Sequence, residues 1–518
     1  MIARLVLVLA APMLLSSGCG KPKNQPASIP PSAPAELTTP EAADDMQEDD
    51  GEEGFGSPST PSGKPSPKNA TPKAAPSEPA KAPEGGAPPA WAKTAATKIA
   101  AHSKGKTRAW DRLAELSDRF GPRPAGSKAL EQAIDWSVDT MRNDGLADAR
   151  REKVMIPNWR RGKESLRVVA PTDRELTVLG LGGTVGTKGT LRAKLLVVSS
   201  LEELDERATE AKGKVVLVNQ VMPPYDHAKD DSGYGTAVKP RGEGASRAAK
   251  HGAVGLLIRS VTAVSLDTPH TGAMRYADGV VKIPAAAVTH EGAQLLSRLA
   301  ARGPVEIKLQ LGATQGKDVP SGNAIAELQG REKPEEVVVI GGHIDSWDVG
   351  DGASDDGAGC VMAMEAALML KELGLVPRRT IRVVLFTNEE YGLRGGKAYF
   401  DAHKGEKHAA AIESDSGAGA PRGFGIASDD AKALAGVMRF APLFAPLGAN
   451  QIGKGWGGAD ISPLTEQGVL SLSLRPDTSH YFDLHHSPAD TVDKIDPDHL
   501  QRNAAALALM AYILAERE

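Results

Sequence analysis

Five short segments of this chain carry side chains that could do chemistry. They are Gly341-Gly342-His343-Ile344-Asp345, Ser354-Asp355-Asp356-Gly357, Thr387-Asn388-Glu389-Glu390, Ile412-Glu413-Ser414-Asp415 and His485-His486-Ser487-Pro488-Ala489-Asp490-Thr491. The first four each sit where an apolar run stops. Together the five offer His343, Asp355, Glu390, Asp415 and His486, with Glu389 alongside. Imidazole nitrogens and carboxylate oxygens are ligands that zinc accepts. Five such groups suggest two metal ions rather than one.

The elements that must position them are legible from the apolar pattern. Glu336-Val337-Val338-Val339-Ile340 and Thr380-Ile381-Arg382-Val383-Val384-Leu385-Phe386 read as buried strands, and Ala409-Ala410-Ala411-Ile412 as a weaker third. The stretch from Ala358 to Leu373 is rich in Ala, Met and Leu without proline, and reads as a helix stopped by Gly374 and Pro377. Strand, helix, strand implies a crossover and a parallel sheet. Ligands of open α/β sheets bind beyond the carboxyl ends of the strands, which is where these polar clusters fall.

Taken singly, each segment has a plainer reading. His-X-Asp is ordinary in a capped turn, Asp-Asp-Gly in a turn or helix cap, Glu-Glu on a solvated helix face and His-His-Ser in a loop. Five of them in order, each at a strand end, point instead to one site.

Length and composition fit a large enzyme. The chain has 518 residues, 41% of them hydrophobic, enough for a sizeable core and too long for one ordinary domain. The net charge of -5 and the lack of a basic stripe argue against a nucleic-acid partner. Of two cysteines, Cys19 lies at the edge of a leader, so the folded part has one thiol, Cys360, and no internal disulfide.

Residues 1–18 read as a signal segment: one Arg, an apolar stretch too short to span a bilayer comfortably, then Ser16-Ser17-Gly18 before Cys19. This resembles a bacterial lipoprotein signal, although Ser16 stands where an aliphatic residue is usual; a plain secretory signal is the alternative. The expectation is export, with an acylated Cys19 holding the protein on a bacterial membrane, the outer membrane favoured by Gly20. Residues 19–92 are dominated by Pro, Ala, Ser, Lys and Gly, with an acidic run from Glu41 to Glu53. That composition reads as a disordered tether.

Ordered sequence starts near Trp91. Arg108 to Phe120 and Ser127 to Asn143 have helical spacing, joined by a turn at Gly121-Pro122-Arg123-Pro124-Ala125-Gly126. Residues 166–311 differ: short strands at Leu166–Val169, Leu195–Val198 and Val215–Val218 alternate with turns, before a helix at Gly244–His251. The expected division is 93–165 and 312–518 for the enzyme domain, with 166–311 as an inserted β-rich module.

These segments, in this order, resemble the dinuclear zinc exopeptidase family that includes secreted bacterial aminopeptidases. Within the middle module, Ala253-Val254 to Ile258-Arg259-Ser260-Val261, Pro269-His270-Thr271-Gly272 and Lys282-Ile283-Pro284-Ala285 resemble a protease-associated insert. The likeness covers about residues 105 to 510. It implies an α/β/α sandwich with a mainly parallel sheet, an inserted protease-associated domain, two zinc ions, short peptides or dipeptides as substrates and a possible homodimer. It assigns His343 and Asp415 to one zinc, Glu390 and His486 to the other, and Asp355 as the bridge. Asp345 would hold the His343 imidazole with its carboxylate, and Glu389 would be the general base. Tyr481 and His485 are candidates for substrate contact. His480, Asp490, Arg394 and the loop Gly457-Gly458-Ala459-Asp460 could serve the site or merely the structure, and Cys360 reads as core. Two alternatives are a single-zinc glutaminyl cyclase-like enzyme and a receptor-like peptide-binding protein; the full ligand set disfavours both.

Overall fold

The computed structural model describes residues 86–105, 108–264 and 266–518. The leader, Cys19 and the tether up to residue 85 lie outside the described residues. Among the described residues no helix is long and apolar enough to cross a membrane.

The apolar runs form one eight-stranded sheet. Its order is Ala147–Ile156, Val319–Leu328, Arg379–Phe386, Lys333–His343, Lys407–Glu413, Ser471–Pro476, Pro421–Ala427 and Gln451–Lys454. The four strands from Arg379–Phe386 to Ser471–Pro476 are parallel, with antiparallel pairings on both flanks. Val338, Val339 and Ile340 are fully buried, because a central strand is covered on both faces. Each such side chain contributes about 1.5–3 kcal/mol.

The helix Ala358–Glu372 is buried all round over most of its length. It packs on the sheet beside the C-terminal helix Pro497–Glu516, which also touches the sheet and is apolar on nearly every side after its first turn. This explains a composition with no polar face. Gly359 lets the first turn come close to the sheet, since a Cβ there would collide with the Ser414 carbonyl and the Asp356 carboxylate. Helices Ala109–Phe120 and Lys128–Asn143 flank the same core; Ser127 caps the second by accepting the Leu130 N–H at 3.0 Å.

A second eight-stranded sheet is built wholly from strands between Glu164 and Leu311. Four of them, Leu191–Val198, Val215–Val218, Gly255–Arg259 and Ala285–Val288, are neighbours and parallel. The helices Lys239–Lys250 and His290–Ala300 pack against this run. The module is therefore rich in strands, yet its centre is a wound α/β layer rather than a set of hairpins. Short strands with Gly-rich turns hid the crossovers, because the connecting segments contain the helix-weakening Gly242, Gly244 and Gly292.

Candidate metal centre

The predicted ligands converge at the carboxyl ends of the parallel strands. His343 is the last residue of its strand, Glu389 and Glu390 follow Arg379–Phe386, and Asp415 lies just past Lys407–Glu413. Asp355 sits in the turn before helix Ala358–Glu372, and His486 follows the short helix Tyr481–Leu484.

Asp355 stands between the two imidazoles. Its Oδ1 is 3.2 Å from His343 Nε2 and its Oδ2 is 3.2 Å from His486 Nε2. Asp415 Oδ1 lies 3.5 Å from His343 Nε2, and Glu390 Oε2 lies 3.1 Å from His486 Nε2. His343, Asp355 and Glu390 offer ligand atoms within 4.8 Å of one another, as do Asp355, His485 and His486, and His343, Asp356 and Asp415. The grouping thus takes in two residues beyond the expected set, Asp356 and His485.

The electrostatics call for cations. Asp355 Oδ2 and Glu390 Oε1 are buried and receive no hydrogen bond, an expensive arrangement for carboxylate oxygens unless a positive charge faces them. Burial lifts the Glu390 carboxyl to about 7 against the pull of His486. Burial also raises Glu389 well above the carboxylate range; His343 opposes this, and Asp415 and Glu390 add to it. Burial would lower His486, but Glu390 and Asp355 outweigh it and lift the imidazole to about 9. A dinuclear cation site fits these residues: hard oxygens and imidazole nitrogens in three overlapping groups that share Asp355 and His343.

Asp345 differs from its expected role. The His343 Nδ1 donates at 3.0 Å to the main-chain oxygen of Asp345, while the Asp345 carboxylate Oδ1 is 3.9 Å away. That carboxylate instead accepts the Glu389 N–H at 3.0 Å. The turn after strand Arg379–Phe386 needs an acceptor there, and Asp345 is its neighbour. Either contact leaves the His343 Nε2 facing the cluster, which is the orientation a metal ligand requires.

Further residues position the ligands: Asp356 and Asp490 from the five segments, and Arg123 from a segment read only as a turn. Asp356 accepts the N–H of His343 at 3.0 Å and that of Gly359 at 2.9 Å, tying strand end to helix start. Asp490 accepts the N–H of Ser354 at 2.7 Å and of Asp355 at 3.1 Å. Arg123 is fully buried and donates to the carbonyls of Ile344, Gly121, Asp351 and Gly352 at 2.7–3.0 Å. It locks the loops on either side of Asp345 and Asp355. Its two flanking prolines were the available signal, since they stiffen the turn that presents it.

The inserted module reaches the same place. Thr271 N–H donates to the His486 carbonyl at 2.9 Å, His270 Nδ1 bonds the His485 carbonyl at 2.7 Å, and Arg241 Nη1 lies 3.2 Å from His486 Nδ1. Tyr234 stacks on Phe482 at 4.3 Å. The His485 ring stacks on His486 at 3.5 Å, and half-buried Tyr481 lies 5.1 Å from His485. Both are therefore brought to the centre. His480 is not: it is exposed and paired with Asp483. Arg394 is exposed, 3.8 Å from Asp318, and Cys360 is buried with its Sγ on the His343 carbonyl. The Gly457–Asp460 loop is held by Glu413, whose carboxylate accepts the N–H groups of Ala459, Asp460 and Ile461.

Residues 323–511 match the pattern of peptidase family M28. Carboxypeptidase Q of Mus musculus is 42% identical over 424 residues, spanning 81% of this chain and 88% of that protein; the Homo sapiens protein is 41% identical over the same extent. The crystal structure of a peptidase M28 precursor from Shewanella amazonensis superposes with a TM-score of 0.78 at 37% identity, covering 83% of this chain and 97% of that one. A zinc aminopeptidase from Bacillus subtilis shares the fold, with a TM-score of 0.60 at 22% identity over 79% of this chain and 95% of its own.

Proposed function

This chain belongs to peptidase family M28, which makes it a metallo-exopeptidase acting on peptides, and from that membership we propose a two-zinc site that hydrolyses short peptides or dipeptides with Glu389 as general base. The observation that carries this reading is Asp355, which presents one carboxylate oxygen to each of two imidazoles while the neighbouring Glu390 Oε1 is buried without a hydrogen bond. His343, Asp415 and Asp355 would hold one zinc, and His486, Glu390 and Asp355 the other. When bound, such a pair acidifies water and polarises an amide carbonyl.

The chain's own residues do the rest. Glu389 takes a proton from the attacking water and delivers it to the departing nitrogen. Asp345 keeps the Glu389 backbone and the His343 ring in place. His485 and Tyr481 form a wall against which substrate is oriented. A single-zinc cyclase would need only half of these ligands, and a binding protein would need no base. Hydrolysis of dipeptides, N-blocked peptides and C-blocked peptides by the zinc-loaded protein tests the reading and assigns the end that is cut; failure to hydrolyse any of them refutes it.

For location, the Ser-Gly-Cys segment at residues 17–19 supports export and acylation of Cys19. Cys19→Ser should release the protein from the membrane fraction, and an unchanged fractionation would refute the anchor.

A further inference from the structure

The parallel strands of the inserted module also end in a cluster of polar residues. Arg259 is the last residue of strand Gly255–Arg259, and His290 opens the helix that follows Ala285–Val288. Asn219 follows Val215–Val218. A cavity of about 420 Å³ lies there, lined by Arg259, Arg174, Arg298, His290, Glu291 and Gln294 among others. Three guanidiniums thus face one carboxylate.

Arg259 is 9% exposed and its Nε has no hydrogen-bond partner; its Nη1 lies 3.4 Å from Asn219 Oδ1. Glu291 is the carboxylate whose charge acts on Arg259, and a buried Nε–H with no acceptor is costly unless an oxygen atom completes it. Arg174 and Arg298 stand exposed at the rim, and among the described residues neither makes an ion pair. The helix His290–Ala300 adds the positive end of its dipole beside the cavity. Carboxyl ends of parallel strands, a helix N-terminus and a planar fork of N–H donors together make a place for oxygen anions.

We propose that this cavity is a second ligand site, separate from the peptidase centre, that binds a small dianion through oxygen atoms: a tetrahedral oxyanion group or a compact dicarboxylate. Arg259 is its anchor, and Arg174 and Arg298 close over the bound charge. The site does not depend on the assignment of the metal ligands.

Calorimetric titration of the zinc-loaded protein tests it, with sulfate as the tetrahedral probe and succinate as the dicarboxylate probe. At least one should bind saturably, and the tighter of the two identifies the class. Arg259→Gln should weaken that binding about tenfold or more, the usual effect of losing a charge-assisted contact, while peptide hydrolysis is unchanged. The double variant Arg174→Gln with Arg298→Gln, altered only at exposed positions, should weaken it as well and decides the matter if Arg259→Gln does not fold. Lack of saturable binding for both probes overturns the proposal. Binding that persists undiminished in the variants and inhibits hydrolysis also overturns it, because the anion then sits at the metal centre.

Discussion

The two sheets of this chain offer the same kind of place and fill it with opposite charge. At the carboxyl ends of the peptidase strands, His343, Asp355, Glu389, Glu390 and Asp415 crowd into a buried space with more carboxylate oxygens than donors. At the carboxyl ends of the inserted strands, Arg259, Arg174 and Arg298 surround an open cavity with one facing carboxylate. Topology supplies the crevice in both cases; the residues that end the strands decide whether it calls for cations or anions. The two regions are also joined. The segment from Ser260 to Thr271 leaves Arg259 and ends on the His486 loop, where His270 and Thr271 hold the carbonyls of His485 and His486.

The largest effect should come from removing the proposed general base, Glu389, from the cation-seeking end. Glu389→Gln keeps shape but loses the basic oxygen, so kcat should fall by about a hundred- to ten-thousand-fold with metal content and thermal stability retained. Glu390→Gln should instead lower metal content. Equal, mild losses in both variants would mean that the Glu pair is structural.

The frame around that end gives the next effect. Arg123→Ala takes the guanidinium away from four carbonyls, of which Gly352 alone keeps another donor, the Gly357 N–H, and should cost about 3–5 kcal/mol, measured by denaturant unfolding, with weakened metal binding. Arg123→Lys should recover little, since an ammonium cannot span the acceptors that the guanidinium reaches. A variant as stable as the parent would show that the loops around Asp345 and Asp355 hold themselves.

The junction between the two regions should respond to acid. Burial pushes the His270 imidazole down to about 4. The unfolded chain takes up a proton near pH 6.5 while the folded one does not, so stability falls as pH drops from 6.5 towards 4. Between pH 6.5 and 5 this amounts to about 2 kcal/mol, from the cost of one pKa unit multiplied by the interval. His270→Gln should flatten that part of the stability profile; an unaltered slope would assign the acid sensitivity elsewhere.

The smallest effect belongs to the anion-seeking end alone. Thr289 caps helix His290–Ala300 by accepting the Gly292 N–H at 3.0 Å. Thr289→Ala should cost about 1 kcal/mol and leave peptide hydrolysis unchanged. A large loss of turnover would mean that the two ends are coupled more tightly than their contacts imply.

What could be read from the sequence follows from where each signal lies. The central strands and helix Ala358–Glu372 were legible because covered elements need continuous apolar runs, and the ligands because they abut those runs. Asp345 was placed at the right ring but with the wrong atom, since side-chain and main-chain oxygens of one residue are equivalent to a motif. Arg123 was invisible as anything but a turn residue: its acceptors are main-chain carbonyls up to 229 positions away, and a carbonyl leaves no mark on residue type. The contacts of His270, Thr271 and Arg241 with the His485–His486 loop were illegible for a related reason. Their partners lie across a module boundary, where periodicity is silent. The wound centre of the insert was blurred because its helix Lys239–Lys250 carries two glycines and little apolar patterning.

If Asp355 serves both halves of the site, as its two oxygens facing two imidazoles suggest, the strand ends of the peptidase sheet should take up two zinc ions. Returning zinc stepwise to chelator-treated protein, while following both bound metal and peptide hydrolysis, tests it most directly. Binding should close at two ions per chain, with full activity requiring the second. Full activity at one ion per chain, with no second ion taken up, would contradict it.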